Sequence, residues 1–217
     1  MRLVNRLLGR RSDRAPYAIF GGIAADAYKT RSLRSRLMPV PIPEQLVLPL
    51  SQNLGVDAVA IVEAGDLVQK FQLLAEASEP GSVALHAPTS GLVSSISNAT
   101  VADEFGSQRL CIHLQSDGEN RAIETVPEAD YRALDHLQLL ERIERAGICG
   151  LGGAGFPSAQ KLSLGMKSGI DLLIINAVEF EPFISADEAL IRERGGSTTF
   201  MIRPLRLGKF RRLSLSF

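Results

Sequence analysis

Between residues 40 and 117 the chain alternates short apolar stretches with turn-forming dipeptides. The stretches are Leu46–Leu50, Ala58–Val62, Leu67–Val68, Gln72–Ala75, Val83–Ala87, Leu92–Ile96 and Leu110–Leu114. Gly65-Asp66, Pro80-Gly81, Ser90-Gly91 and Asp117-Gly118 supply the turns. Seven short runs at this close spacing predict an all-β region. Strands so short cannot bury a face alone, so they are expected to close into a small sandwich or barrel.

From Pro127 onward the pattern changes. Leu134, Leu137, Leu140, Ile143 and Ala146 recur at helical spacing, with Pro127 suited to open the helix and Gly147 placed to end it. A glycine-rich loop, a short helix after Pro157, an apolar strand at Leu172–Asn176 and an acidic turn follow. A last helix is expected to start at a capping box, Ser185-Ala186-Asp187-Glu188, and to stop at Gly195-Gly196. Ahead of the β region, Gly21-Gly22 and the arginines between Arg31 and Arg36 mark a basic, loop-like segment. The expected class is therefore α+β. The segment 1–38 precedes a β domain at 39–120, an α/β domain begins at 121–194, and a basic tail occupies 195–217.

Composition narrows the class of protein. The 217 residues carry 24 basic and 24 acidic side chains, a balance that gives nucleic acid no footing. No apolar run reaches the roughly 18–20 residues of a membrane helix. The start, Met1 to Arg11, is basic, but its apolar stretch is too short for a secretory signal; it reads as a solvated terminus, with contact to an anionic membrane surface as the alternative. Cys111 and Cys149 form neither a disulfide framework nor a metal-ligand spacing, which fits a reducing, cytoplasmic setting and no metal site.

The candidate chemistry lies in the loop Gly150-Leu151-Gly152-Gly153-Ala154-Gly155-Phe156-Pro157. Glycines leave backbone amides bare, so a flat or phosphorylated ligand can lie against them. A helix starting at Pro157 would aim free N–H groups into the loop. Asn176, Glu179 and Glu181 follow the strand, and together these features suggest a nucleotide or flavin site. Gly150, Gly152 and Gly155 satisfy G-x-G-x-x-G, but a dinucleotide fingerprint needs a strand before it, and here a helix precedes. A P-loop needs Lys and Ser or Thr after the last glycine, where Phe156 and Pro157 stand. The competing reading is a tight helix-to-helix connection with no ligand.

The β region has a pattern of its own. Gly65-Asp66-Leu67-Val68, Glu76 and Ala87-Pro88-Thr89-Ser90-Gly91-Leu92-Val93 resemble a biotinyl or lipoyl carrier domain. Such domains carry a modified Lys in the hairpin between those halves, but Ala77 to Leu85 contains none. A barrel-sandwich scaffold without the cofactor is the better reading. His86 and His113 read as structural histidines and His136 as a solvated one.

The ordered set of motifs resembles the amino-terminal half of the C subunit of the Rnf (Rsx) ion-translocating electron transport complex. The matching residues are Phe20-Gly21-Gly22-Ile23, Val47-Leu48-Pro49-Leu50, Gly65-Asp66, His86 to Gly91, Ala146-Gly147-Ile148, Gly150 to Pro157, Lys161-Leu162, Leu173 to Asn176, Glu181-Pro182 and Ala186-Asp187. They cover roughly residues 18 to 194. The resemblance implies a barrel-sandwich hybrid followed by an FMN- and NADH-binding α/β domain like the flavin subunit of complex I. It implies a subunit peripheral to the cytoplasmic face of the bacterial inner membrane, with other subunits of the complex as partners. By that resemblance FMN accepts a hydride from NADH, and the electrons pass on to [4Fe–4S] clusters held by carboxy-terminal cysteine motifs.

Roles follow position by position as implications of the resemblance. Gly150, Gly152, Gly153 and Gly155 would admit the flavin phosphate and ring, and Lys161 would meet the phosphate or ring edge. Phe156 reads either as a stacking partner of the flavin or nicotinamide or as a core aromatic, and Lys161 otherwise as a surface lysine. Asn176 would bond the flavin. Glu179 and Glu181 would bond ribose hydroxyls or orient NADH, since carboxylates repel a phosphate.

The chain also departs from the family. Phe180 stands where the family usually carries Cys, Phe71 where it carries Gly, and Ala24 to Ala27 in place of a His-Pro-Pro stretch. The resemblance stops after Arg194, the tail carries Arg203, Arg206, Lys209, Arg211 and Arg212, and no cluster-binding cysteine motif occurs. The expectation is a truncated copy, incomplete at the carboxy end. Two readings stand: an oxidoreductase module binding FMN and NADH, and a non-catalytic remnant or interaction module with an empty loop.

Overall fold

A computed structural model of the chain describes residues 26–103, 105–125, 133–151, 155–168, 172–176, 179, 181–202 and 212–216, with backbone alone over 172–176, 195–202 and 212–216. Contacts divide the chain into two compact units, residues 40–168 and residues 1–39 with 169–217. The first unit thus takes in the two helices that the sequence ranges assigned to the second domain.

In residues 40–168 every apolar stretch forms a strand: β1 (Gln45–Pro49), β2 (Val59–Ala60), β3 (Leu67–Val68), β4 (Leu73–Glu76), β5 (Leu85–His86), β6 (Gly91–Thr100) and β7 (Gln108–Ser116). They make two sheets, ordered β1-β7-β6-β3 and β2-β4-β5. Leu74 and Ala75 from the smaller sheet meet Val68, Val93, Ile112 and Leu114 from the larger one in a single buried core. The fold is the expected α+β class, with a barrel-sandwich hybrid as its β part. Glycines at Gly65, Gly81 and Gly118 sit at positive φ in three of the four turns read from sequence.

β6 runs past the expected end at Ile96 to Thr100, paired with β7 down to Thr100↔Gln108. Its outer half is Ser97-Asn98-Ala99-Thr100, exposed or half-exposed. Backbone pairing continues there without an apolar face, so the apolar pattern ends before the strand does.

Helix α2 (His136–Arg145) begins with a capping box, Asp135 accepting from the amides of Leu137 and Gln138 while Gln138 accepts from the Asp135 amide. The expected start at Pro127 lies outside the described residues. The end agrees with expectation. Gly147 takes φ +66, its amide donates to the Glu144 carbonyl, and the Ile148 amide donates to the Ile143 carbonyl. That is the double bond pattern of a Schellman cap. Helix α3 (Ser158–Lys167) packs on α2.

In the other unit, α1 (Lys29–Ser32) precedes β8 (Leu172–Asn176), α4 (Ala186–Ile202) and β9 (Arg212–Ser216). β8 and β9 pair in parallel from Leu172↔Arg212 to Asn176↔Ser216. The first helical run of α4 stops at Arg194 (φ −124, ψ 23), directly before Gly195-Gly196, and a second run continues beyond that kink to Ile202. One sequence expectation is corrected here: the Ser185 capping box does not form. The Ser185 hydroxyl donates to the Ser32 hydroxyl, and the amides of Asp187 and Glu188 are taken by Glu179.

Candidate functional site

The glycine loop joins α2 to α3 and is closed at its base. The Gly150 amide donates to the Phe156 carbonyl at 2.9 Å and the Ser158 amide to the Ile148 carbonyl at 3.0 Å. Cys149 and Pro157 form a bridge between the two arms. Pro157, expected as the first helical residue, instead sits at the N-cap of α3 (φ −61, ψ 123), and Ser158 is the first residue of the helix. The Ser158 amide is spent on the loop's own base, not left free for a ligand.

The glycines divide by what surrounds them. Gly155 takes φ +55, and its carbonyl accepts from the Leu54 amide. A Cβ there would stand 3.0 Å from the Asn53 Cα, so backbone packing is enough to require glycine. At Gly150 a Cβ would meet no atom of the described residues closer than 3.8 Å. Gly152 and Gly153 lie outside the described residues. Phe156 is half-buried, and Lys161, one turn into α3, is exposed. Leu151 is 98% exposed. An exposed Lys161 in the helix that follows the loop is a cation suited to an anionic group.

A cleft of about 190 Å³ lies at the foot of the loop, lined by Pro49, Gln52, Ala84, His86, Gly147 and Cys149. It is smaller than the roughly 300–1,000 Å³ of ordinary ligand pockets. Burial lowers the pKa of His86, which keeps its ring neutral at this cleft. His113 pairs its Nε2 with the Ser97 hydroxyl at 3.2 Å. Burial raises the pKa of the Cys111 thiol. No group of three or more metal-ligating side chains occurs among the described residues.

The acidic residues belong to the other unit. Asn176 ends β8, and Glu181 is exposed. Glu179 has a different setting from the one expected. Its side chain is only 6% exposed, and its carboxylate accepts from the Asp187 amide at 2.9 Å and the Glu188 amide at 3.4 Å. Lys29 donates its ammonium to the Glu179 carbonyl and stands 4.0 Å from the carboxylate. Lys29 has no signal in the sequence, because its partner lies far along the chain.

The profile of the RnfC barrel sandwich hybrid domain matches residues 17–119, and that of the Nuo51 FMN-binding domain matches residues 143–198. The C subunit of the ion-translocating oxidoreductase complex from Yersinia pestis bv. Antiqua (strain Antiqua) is 45% identical over 186 residues, 86% of this chain and 30% of that protein. The C subunit of Serratia proteamaculans (strain 568) is 45% identical over 80% of this chain and 24% of its own length. That of Vibrio cholerae O395 is 43% identical over 80% and 22%. The chain belongs to the C-subunit family of the ion-translocating oxidoreductase complex, and spans less than a third of the length of these relatives. No helix of the described residues is long and apolar enough to cross a membrane.

Proposed function

We propose that this chain is the FMN- and NADH-binding portion of an ion-translocating electron transport subunit, docked through other subunits on the cytoplasmic face of a bacterial inner membrane. The observation that carries the reading is the match to an FMN-binding domain across residues 143–198, which contain every candidate site residue. Gly150, Gly152, Gly153 and Gly155 would give the flavin a bare backbone, Lys161 would face its phosphate, and Phe156 its ring. Asn176 and Glu181 would serve polar groups of the flavin and dinucleotide, with Glu179 shaping the turn between them. FMN, when bound, supplies the hydride acceptor; the protein's share is position and electrostatics.

The second reading, a scaffold with an empty loop, is favoured by Gly155 and Glu179, whose settings are accounted for by packing and helix capping. FMN titration of the folded chain separates the two, with Gly150→Asp as the control. Among the described residues nothing stands closer than 3.8 Å to a Cβ at Gly150, and the added carboxylate opposes a phosphate. Saturable binding weakened at least about tenfold, ~1.4 kcal/mol, is expected. A folded wild-type chain that binds no FMN would overturn the flavin reading.

A further inference from the structure

Residues 27–32 and the acidic turn are tied together repeatedly. The Phe183 amide donates to the Ala27 carbonyl at 2.8 Å, and the Tyr28 and Phe183 rings stack with centroids 5.2 Å apart. The Ser185 hydroxyl donates to that of Ser32 at 2.8 Å. At the centre, Lys29 holds the main chain of Glu179 and flanks its carboxylate. A carboxylate this buried needs partners for both oxygens, and it has them: one helix amide each, at the positive end of α4, with an ammonium beside them. Both oxygens are thereby engaged at the helix end, and a side chain only 6% exposed presents little of its carboxylate to a ligand. Glu181, two residues on, is exposed.

We propose that Lys29 is a positioning residue for the acidic turn: it fixes Glu179 as the cap of α4 and so leaves Glu181 as the carboxylate that meets the ligand. The ligand half of this inference rests on the functional reading above. It assigns the two glutamates different tasks and gives the segment before the β domain a part in nucleotide binding.

The test uses the full chain with FMN added, comparing wild type with Lys29→Met, Lys29→Arg and Glu181→Gln. Hydrogen exchange at the Asp187 and Glu188 amides reads the cap; separate FMN and NADH titrations read the ligand. Lys29→Met is expected to speed exchange at both amides about fivefold, the scale of a lost helix cap. It should weaken NADH by a similar factor while leaving FMN affinity unchanged. Lys29→Arg should restore both, and Glu181→Gln should weaken NADH without altering exchange. Wild-type exchange in Lys29→Met, or wild-type NADH affinity in Glu181→Gln, would overturn the proposal. Absence of FMN binding by the wild-type chain would sink the functional reading and the assignment of Glu181 with it, while exchange would still decide whether Lys29 holds the cap.

Discussion

Phe71 sits at φ +70, 49% exposed, with the Lys70 ammonium 5.2 Å from its ring centroid. A side chain in the left-handed region costs about 1–2 kcal/mol. At an ordinary strand position Ala is more stable than Gly by roughly 0.5–1 kcal/mol. Here the order reverses: Phe71→Gly is expected to exceed Phe71→Ala by about 1 kcal/mol in urea unfolding, the left-handed cost outweighing glycine's entropy. Asp117 is the other residue with a sharp expectation. Its carboxylate accepts from the Ser90 hydroxyl at 2.7 Å and the Arg121 guanidinium at 2.6 Å, and its pKa falls to about 2, the Ser90 bond being the largest cause. A depressed folded pKa gives stability that is present above the unfolded value near 3.8 and lost as pH falls toward about 2. Thermal unfolding of Asp117→Asn should therefore change less between pH 4 and pH 2 than that of the wild-type chain. Equal pH slopes would refute that account.

At the scale of elements, the strands are legible because their apolar runs are punctuated by glycine turns, and β8 is legible as Leu-Leu-Ile-Ile-Asn at its true bounds. Helix ends are legible only where the cap is local. Gly147 ends α2 as read, and Asp135-His136-Leu137-Gln138 carries a capping-box signature that marks the observed start better than Pro127 does. The cap of α4 is not legible, since Glu179 reaches it from outside the helix and the nearby Ser185 offers a plausible local box. The sequence names candidate site residues, but it does not show that Gly155 serves chain packing and Glu179 a helix end. The contrast among glycines gives a test. A Cβ on Gly147 would stand 2.3 Å from the Ala84 carbonyl oxygen at φ +66. Gly147→Ala should destabilise by about 2 kcal/mol or more, from left-handed strain plus the clash. Gly150→Ala should stay within about 0.5 kcal/mol of wild type. Equal effects in denaturant titrations would contradict this division.

For the whole molecule, the division into two compact units has a direct consequence. Residues 40–168 hold both sheets of the barrel-sandwich hybrid, the core around Leu74, Val93, Ile112 and Leu114, and the helix pair that frames the glycine loop. A fragment of residues 40–168 is therefore expected to unfold cooperatively on its own, with near-native far-UV circular dichroism. A fragment that shows no cooperative transition would mean that its core depends on the remaining chain. Composition shifts in the sequence place the change from strands to helices correctly, but spatial grouping follows packing, and α2 and α3 group with the strands that precede them.

The parallel pairing of β8 with β9 also bears on how the protein is made. Among the described residues β8 has β9 as its partner strand, and α4 lies between them in sequence. During synthesis the β6–β7 hairpin can zip as soon as it emerges, but β8 leaves the ribosome well before β9 exists. Until then the apolar Leu-Leu-Ile-Ile strand lacks the one ladder it has among the described residues, and an unpaired apolar strand is a condition under which nascent chains associate wrongly. Chaperone dependence and aggregation in fast expression are the traits to look for, and they should ease when translation is slowed by cold.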